Sequence, residues 1–261
     1  FPTVLLLPCL LNDSLSVFPL AAAATEANWT SDLHPCCWGG IRCENDSVVA
    51  VSLPAAVQQN CPSSVGIFSS AWHLPPLVAN LTHLQSLELQ CTSLALLPKD
   101  FALAGGSSLA CLDLHDNLLP ELPQQFGQQF PMLNFLNVGN NPLAQFPPSF
   151  SHLSRLQTLL MYGLSLTSFP LQICQLSLLT QLHCYNNAVP WLSLPECIGQ
   201  LAGLQFLGLS QLSLTSLPAA IGNLTALSSL HLSANQLTGL PDSFGSLANL
   251  STLLLEANRL S

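Results

Sequence analysis

The chain has 261 residues, of which 7% are charged, and its 13 Asp and Glu against 4 Lys and Arg give a formal net charge of −9. Nucleic-acid binding needs a basic surface, so this balance argues against DNA or RNA as a partner. Hydrophobic residues make up 49% of the chain, which is enough for a large core, yet no apolar run approaches the roughly 20 residues that cross a bilayer.

The first segment of the chain, residues 1–47, is predicted to be a cysteine-rich cap. It contains two adjacent cysteines followed by Trp, Gly and a further cysteine, in the stretch NWTSDLHPCCWGGIRCENDSVVAVSL. Over about 28–53 this W…CCWxGxxC…VVxxxL arrangement resembles the N-terminal cap of plant-type extracellular leucine-rich-repeat proteins, a group that includes receptor-like and polygalacturonase-inhibiting proteins. The resemblance implies two disulfide bonds, Cys9–Cys36 and Cys37–Cys43, in a module that covers the apolar end of the first repeat. Three prolines upstream of the motif depart from that family, which has a helix there.

A repeat with a period of about 23 residues governs the rest of the chain, residues 48–261. Its units read L-x-x-L-x-L-x-x-N-x-L, a leucine-rich repeat, and one such unit buries its apolar face only when neighbours stack on it. Nine strand registers are predicted, the last of them truncated, and they begin at Val48, Leu84, Leu109, Leu133, Leu156, Leu179, Leu204, Leu227 and Leu250. We therefore predict an α/β leucine-rich-repeat solenoid: a curved right-handed superhelix with a parallel sheet of about nine strands on the concave face and 3₁₀ or short helical turns on the convex face.

Asparagine and proline recur at fixed places within each unit. An Asn side chain at the ninth position is able to satisfy backbone groups in the turn after the strand. This ladder consists of Asn117, Asn141, Asn187, Asn235 and Asn258, and it is interrupted at Ala56, Thr92, Leu164 and Leu212. A proline follows most ladder positions and is expected to end the strand side of the unit and begin the convex return.

Six N-x-[ST] motifs predict N-glycosylation and, together with ten cysteines, secretion into an oxidising compartment. The motifs begin at Asn12, Asn28, Asn45, Asn80, Asn223 and Asn249. Asn80 and Asn223 share a repeat position shortly before a strand, so we expect both on the loop that leaves the convex side.

Cysteines outside the cap fall on different sides of the predicted repeat. Cys174 and Cys197 share a repeat position on neighbouring convex turns, so we predict a disulfide bond between them. Cys61 lies in an insertion around 57–78 and is within reach of Cys91 as one possible pairing. Cys111 on the concave face and Cys184 in the core have no evident partner.

Side chains alternate along a strand, so the third, fifth and seventh positions of each unit are expected to point out of the concave face. On four consecutive units these positions are rich in aromatic residues and include both tyrosines of the chain. The predicted binding patch consists of Phe135, Leu160, Tyr162, His183, Tyr185 and Phe206. Scattered exposed apolar residues are normal on any surface, but the adjacency of these positions favours an interface centre.

A second group on the same predicted face is acidic and consists of Glu88, Asp113, His115 and Asp116. Such side chains are able to hold a divalent cation, but carboxylates alone do not specify one, and a solvated acidic face is the simpler interpretation. We therefore predict no metal and no cofactor. No G-x-S-x-G, H-E-x-x-H or P-loop motif occurs and the seven histidines are scattered over the repeat, so an enzyme is not expected.

These patterns favour a non-enzymatic, glycosylated, extracellular recognition module whose concave face binds a protein, peptide or glycan. The alternative is a structural glycoprotein of a cell wall, sheath or fibril that associates with copies of itself, which the low charge and the glycosylation motifs support. Since the chain begins without Met and ends within a repeat, we expect further residues of the same polypeptide, or a second copy bound head to tail, to cover the last strand. Both hypotheses place the protein outside the cell, in the wall or at the cell surface, with no membrane insertion in this segment.

Overall fold

The computed structural model describes residues 41–44, 47–52, 83–97 and 108–261, with side chains in the last two ranges. These residues form an open ten-stranded sheet in which the strands follow one another in chain order. β2 to β10 are joined by eight parallel pairings, which confirms the predicted leucine-rich-repeat solenoid. The strands are β1 (Ile41–Glu44), β2 (Ser47–Ser52), β3 (Ser86–Glu88), β4 (Cys111–Asp113), β5 (Phe135–Asn137), β6 (Thr158–Leu160), β7 (Gln181–His183), β8 (Phe206–Gly208), β9 (Ser229–His231) and β10 (Thr252–Leu254).

The strand β1 precedes the first predicted register and was not predicted from the repeat. It runs antiparallel to β2, with Ile41 opposite Val51 and Arg42 opposite Ala50. β1 lies within the predicted cap, so the cap segment and the first repeat share one sheet. The domain boundary after residue 47 and the curvature and handedness of the solenoid stay predictions.

The leucines of the repeat form the core, because each strand from β3 onward places its central leucine on the core side. From β3 to β9 that residue is a leucine with at most 1% of its surface exposed. Leu253, the equivalent residue of β10, is 36% exposed, since β10 has a described neighbour on one side. Trp191 adds to the core where its unit is longer than the 23-residue period. Its indole N–H donates to the carbonyl of Leu166 over 2.9 Å.

Short helical turns form the layer opposite the sheet, as predicted. One four-residue helix, α1 (Phe126–Gln129), is followed by five 3₁₀ turns at Pro148–His152, Leu171–Gln175, Glu196–Gln200, Ala219–Asn223 and Asp242–Ser246. Each 3₁₀ turn is preceded by a proline in the extended region, with φ between −66° and −75°. Because proline fixes φ there, it ends the strand side of the unit and directs the chain into the turn. None of these turns reaches the length and hydropathy that a bilayer crossing requires in the described segments.

The asparagine ladder joins neighbouring units through buried hydrogen bonds. Asn141, which is 2% exposed, accepts from the N–H of Leu119 at 3.0 Å and donates to the carbonyls of Leu114 and Val138 at 2.9 and 3.0 Å. Thr92 keeps part of the ladder, because its hydroxyl donates to the carbonyl of Leu89 at 2.9 Å. The predicted interruption at Thr92 is therefore only partial.

The eighth position of every unit from β3 onward is left-handed, which the sequence did not make evident. Its φ lies between 52° and 63° at Cys91, Asp116, Asn140, Gly163, Asn186, Gln211, Ala234 and Ala257. Asn, Asp and Gly tolerate this conformation, whereas other residues lose roughly 1–2 kcal/mol. Stacking of the units therefore imposes the turn at Gln211, Ala234 and Ala257 against their local preference.

One predicted disulfide bond is confirmed, and the structure shows the bonding state of cysteines whose pairing the sequence left open. Cys174 and Cys197 are bonded across neighbouring 3₁₀ turns, with their Cα atoms 5.7 Å apart. Cys111, for which no partner was predicted, is disulfide-bonded, as is Cys91. Cys184 is a free thiol that is fully buried, and burial raises its pKa.

The other predicted cysteine pairings concern parts of the chain without described side chains. Cys9, Cys36, Cys37 and Cys61 lie outside the described residues, and for Cys43 only the backbone in β1 is described. The two cap disulfides and the Cys61–Cys91 pairing stay predictions.

Candidate binding face

The third, fifth and seventh positions of the units share one side of the sheet, which we call the outer sheet face. The parallel pairings place the fifth positions in one row. This row contains Glu88, Asp113, Asn137, Leu160, His183, Gly208, His231 and Leu254. The two predicted groups of contact residues therefore lie on the same face, the acidic one at β3 and β4 and the aromatic one from β5 to β8.

At the acidic end of the face, His115 lies between two carboxylates. Its Nδ1 is 2.5 Å from Asp113 Oδ1 and its Nε2 is 3.4 Å from Asp116 Oδ2. Burial lowers the pKa of His115, but the hydrogen bond and charge of Asp113 and the charge of Asp116 together outweigh it, so the pKa is raised. Asn137 donates to Asp113 and Asn140 donates to Asp116, at 3.4 and 2.9 Å. These polar groups largely satisfy one another, while Glu88 lies beside Asp113 in the strand register.

One set of potential metal ligands occurs near this cluster in the described part of the chain. Ligand atoms of Cys91, His115 and Asp116 lie within 4.8 Å of one another. Cys91 is in a disulfide bond, however, so its sulfur is not the thiolate that binds metals. His115 is also engaged with Asp113. This arrangement favours a network of hydrogen bonds and charges over a cation site.

The two tyrosines form a stacked pair just after the ends of β6 and β7. Their ring centroids are 5.0 Å apart and their planes are 3° from parallel. Tyr162 lies against Gly139 of the preceding unit, where an added Cβ would be 2.5 Å from the ring carbon Cζ. Burial raises the pKa of Tyr162 to about 12, against the opposite effect of the Asn137 side chain, and burial raises the pKa of Tyr185, so both side chains are neutral phenols.

Beside the tyrosines, a second row of rings crosses β7, β8 and β9. His183 stacks on Phe206 with centroids 4.2 Å apart, and Phe206 meets His231 edge-on at 4.8 Å. Burial, and then the charge of His231, lower the pKa of His183 to about 4. Burial also lowers the pKa of His231, against the opposite effect of Glu256. Both imidazoles are therefore predominantly neutral near pH 7.

The structure places all six predicted patch residues on the outer sheet face, four of them within these rows. Phe135 and Leu160 are partly exposed on β5 and β6. Sequence reasoning missed His231, although it stands two units after His183 at the same repeat position. It also missed the two glycines, Gly139 and Gly208, that leave space for neighbouring rings. A glycine at an outward position one unit away from an aromatic residue is the signal that was available.

Two outward positions are more covered than the alternation of side chains predicts. Asn137 is 4% exposed and Thr158 is 3% exposed. Asn137 donates to Asp113, lies 3.1 Å from Nδ1 of His115 and accepts from the N–H of Gly139. Thr158 lies between Phe135 and Gln181 in the register, and its hydroxyl has no hydrogen-bond partner in the described part of the chain.

Two of the six predicted glycosylation sites lie within the described residues, and both are on the turn side. Asn223 is the last residue of the 3₁₀ turn Ala219–Asn223 and is exposed. Asn249 is also exposed, and its Nδ2 donates to the carbonyl of Thr225 at 2.7 Å. Glycosylation at both sites stays a prediction. Asn12, Asn28, Asn45 and Asn80 lie outside the described residues.

Comparison with solved structures finds leucine-rich-repeat receptors. The chain is 29% identical over 87% of its length to the Arabidopsis receptor kinase HAESA, solved in complex with the peptide hormone IDA and the co-receptor SERK1, with a TM-score of 0.71. It is 28% identical over 85% of its length to the plant peptide hormone receptor RGFR1, solved in complex with RGF2, with a TM-score of 0.63. It is 31% identical over 71% of its length to the LRR ectodomain of the Arabidopsis membrane receptor kinase GASSHO1/SCHENGEN3, with a TM-score of 0.54.

This chain spans only part of those structures: 37% of the HAESA chain, 34% of the RGFR1 chain and 26% of the GASSHO1/SCHENGEN3 chain. No protein-family model matches the chain, and no curated protein sequence matches it.

Proposed function

We propose that this chain, a leucine-rich-repeat protein, is a non-enzymatic extracellular recognition module that binds a protein or peptide through its outer sheet face. The observation that carries the proposal is the pair of aromatic rows, Tyr162–Tyr185 and His183–Phe206–His231, on a face of a sheet whose other face is the leucine core. HAESA and RGFR1, which resemble this chain, are solved with peptide ligands or named as peptide hormone receptors, and this likeness supports the proposal.

The rings are held in place before any ligand binds. Each tyrosine contacts the other, and the ring of Tyr162 also packs over Gly139. Tyr185 remains 37% exposed. A ring that is already ordered loses little conformational freedom when a ligand covers it, so the energy of its contact is retained as affinity.

An extracellular location is supported by the disulfide bonds and by the position of the glycosylation motifs. The Cys174–Cys197 bond is of a kind that persists in oxidising compartments. Asn223 and Asn249 are exposed on or beside the 3₁₀ turns, so glycans there would leave the outer sheet face accessible. Intact-glycopeptide analysis of the protein from its native source tests both sites, and two unmodified asparagines would contradict glycosylation.

Selection from a random-peptide display library on the folded chain tests the proposed site. We expect the enriched peptides to lose affinity at least about 30-fold with the double variant Tyr162→Ala/Tyr185→Ala, because the loss of even one interface aromatic residue often costs about 2 kcal/mol. Circular dichroism and thermal unfolding show whether this variant keeps its fold.

The matched control removes two exposed apolar side chains from the turn side, Leu171→Ala/Leu178→Ala, which are 62% and 52% exposed. The same peptides should bind this control like the wild-type chain. Peptides whose affinity falls with the leucine variant and is unchanged with the tyrosine variant would place the binding site on the turn side. Light scattering of the wild-type chain over a range of concentrations separates recognition from self-association, since the alternative structural role requires growth of the particle mass.

A further inference from the structure

We propose that the ligand of the outer sheet face is an extended, net-basic peptide that carries Lys or Arg side chains at both ends of the aromatic rows. This inference rests on the proposed function and adds the chemical class of the ligand. It follows from the charge of the face, the nature of its rings and the distance between its two acidic ends.

The described part of the outer sheet face, from β3 to β10, lacks a Lys or Arg side chain that could pair with an acidic ligand. From β3 to β10, none of the third, fifth and seventh positions is Lys or Arg. His183 and His231 are predominantly neutral near pH 7, and His115 is engaged with Asp113 and Asp116. A ligand carboxylate would therefore lose its hydration on this face without gaining a cationic partner, which is costly.

Carboxylates stand on both sides of the rings. Asp116 follows β4, and its side chain keeps 33% of its surface exposed next to His115. Glu256 follows β10, is fully exposed and accepts a hydrogen bond from the hydroxyl of Ser233. The tyrosines and Phe206 lie between these two residues in the strand order. Positive charge is thus complementary to the face at each end.

The aromatic rings themselves also favour a cation. The face of an aromatic ring carries negative potential, and Arg or Lys bind over it more tightly when water is partly excluded. Tyr162 and Tyr185 remain neutral phenols, as described above, and Tyr185 is partly open to solvent. An arginine in the middle of the ligand would therefore be accepted as readily as an apolar residue.

The spacing of the two acidic ends limits the length of the ligand. Six strand spacings of about 4.8 Å separate β4 from β10, which gives about 29 Å. An extended chain advances about 3.3 Å per residue, so about nine residues reach from Asp116 to Glu256. A peptide of this length lies across the strands and contacts one or two side chains of each unit.

Selection from an unbiased display library of nine-residue peptides tests the charge of the ligand. Only peptides whose binding depends on Tyr162 and Tyr185 are scored. We expect these peptides to be enriched in Lys and Arg, and their affinity to fall as salt is raised. The double variant Asp116→Asn/Glu256→Gln should weaken them about tenfold, the effect of two partly exposed ion pairs.

A matched control, Glu121→Gln/Asp242→Asn, makes the same change in net charge at exposed residues away from the outer sheet face. The control should leave affinity within about twofold of the wild-type value, which would assign the effect to the position of the charges. Tyrosine-dependent peptides that are neutral or acidic, or that respond equally to both charge variants, overturn the inference and leave the proposed function standing. A selection without tyrosine-dependent peptides contradicts the proposed function itself.

Discussion

The two ends of the outer sheet face share one backbone register but carry side chains of different chemistry, a polar network at one end and aromatic rings at the other. At β4 and β5, Asp113, Asn137 and His115, which follows β4, bond to one another, so their polar atoms are largely occupied. On β6 to β9 the equivalent positions hold rings that stack on the next unit and leave an exposed apolar surface. Neighbouring strands lie about 4.8 Å apart, which brings side chains at the same repeat position into contact whatever their chemistry. The difference shows that side-chain identity decides whether the outward positions of a unit bond mainly to one another or form a partly exposed row of rings.

Histidines show the same contrast in their titration. His115 has two carboxylates beside it, which raise its pKa above 6.5 in spite of burial. His183 is stacked on Phe206 with no acid beside it among its described contacts, and burial lowers its pKa to about 4. The two side chains lie on one face of one sheet, three strands apart.

The largest expected effect is acid destabilisation through His183. Between its ordinary pKa of 6.5 and its folded pKa of about 4, the unfolded chain binds a proton that the folded chain does not. Stability from this residue is therefore present above pH 6.5 and is lost as pH falls towards 4, by about 2–3 kcal/mol. Urea unfolding of wild type and His183→Phe across this range should show a shallower pH dependence in the variant.

His115 provides the control for that prediction because its sign is opposite. Its raised folded pKa stabilises the fold below pH 6.5, and this contribution is lost as pH rises through the folded value. Histidine NMR titrations should give a pKa above 6.5 for His115 and one near 4 for His183. Two values close to 6.5 would remove the electrostatic contrast between the ends of the face.

A smaller loss of stability is expected from adding a methyl group at Gly139, which lies between the acidic and the aromatic ends of the face. Gly139→Ala places a Cβ within the ring of Tyr162, so the ring must move out of its stack with Tyr185. Overpacking of this kind costs about 2 kcal/mol. Chemical denaturation should show this loss, and near-ultraviolet circular dichroism should show the change in tyrosine environment.

Gly239→Ala is the matched control, because an added Cβ at Gly239 meets no atom within 4 Å. It should leave the free energy of unfolding within about 0.5 kcal/mol of the wild-type value. Equal losses in the two variants would mean that the Tyr162 ring is not held against Gly139.

The smallest effect is expected to be a gain in stability at Thr158. Its hydroxyl is buried in the aromatic end of the face without a hydrogen-bond partner among the described residues. An unpaired buried hydroxyl is unfavourable, so Thr158→Val, which keeps the shape, should raise the free energy of unfolding by about 1 kcal/mol. Thermal and urea unfolding both measure this gain.

Thr180→Val is the corresponding control on the neighbouring unit. The hydroxyl of Thr180 donates to the carbonyl of Gln157 at 3.0 Å, so its removal should not stabilise the fold. Stabilisation at Thr180 but not at Thr158 would show that the Thr158 hydroxyl has a partner in solution.

Much of the fold could be predicted because the spacing of the repeat indicates which residues of neighbouring strands lie side by side. Leucines at the first, fourth and sixth positions recur from unit to unit, and the structure pairs the strands in that register. The Asn ladder and the proline-led turns followed from single side chains with strong local preferences. β1 was missed because it precedes the period, and the disulfide bond of Cys111 was missed because the adjacent units have no cysteine at the same repeat position.

The sequence by itself determined which side of each strand faces the core and which residues share the outer sheet face, since a period of 23 residues and the alternation of side chains are properties of the chain alone. Only the tertiary structure decided which outward residues are covered. Tyr162 leans across Gly139 and buries Asn137, and His183 loses its protonated form against Phe206, because each side chain meets the unit beside it. Such contacts join residues more than 20 positions apart and depend on the orientation of each ring. That orientation is set by the packing of neighbouring units and cannot be read from the repeat pattern.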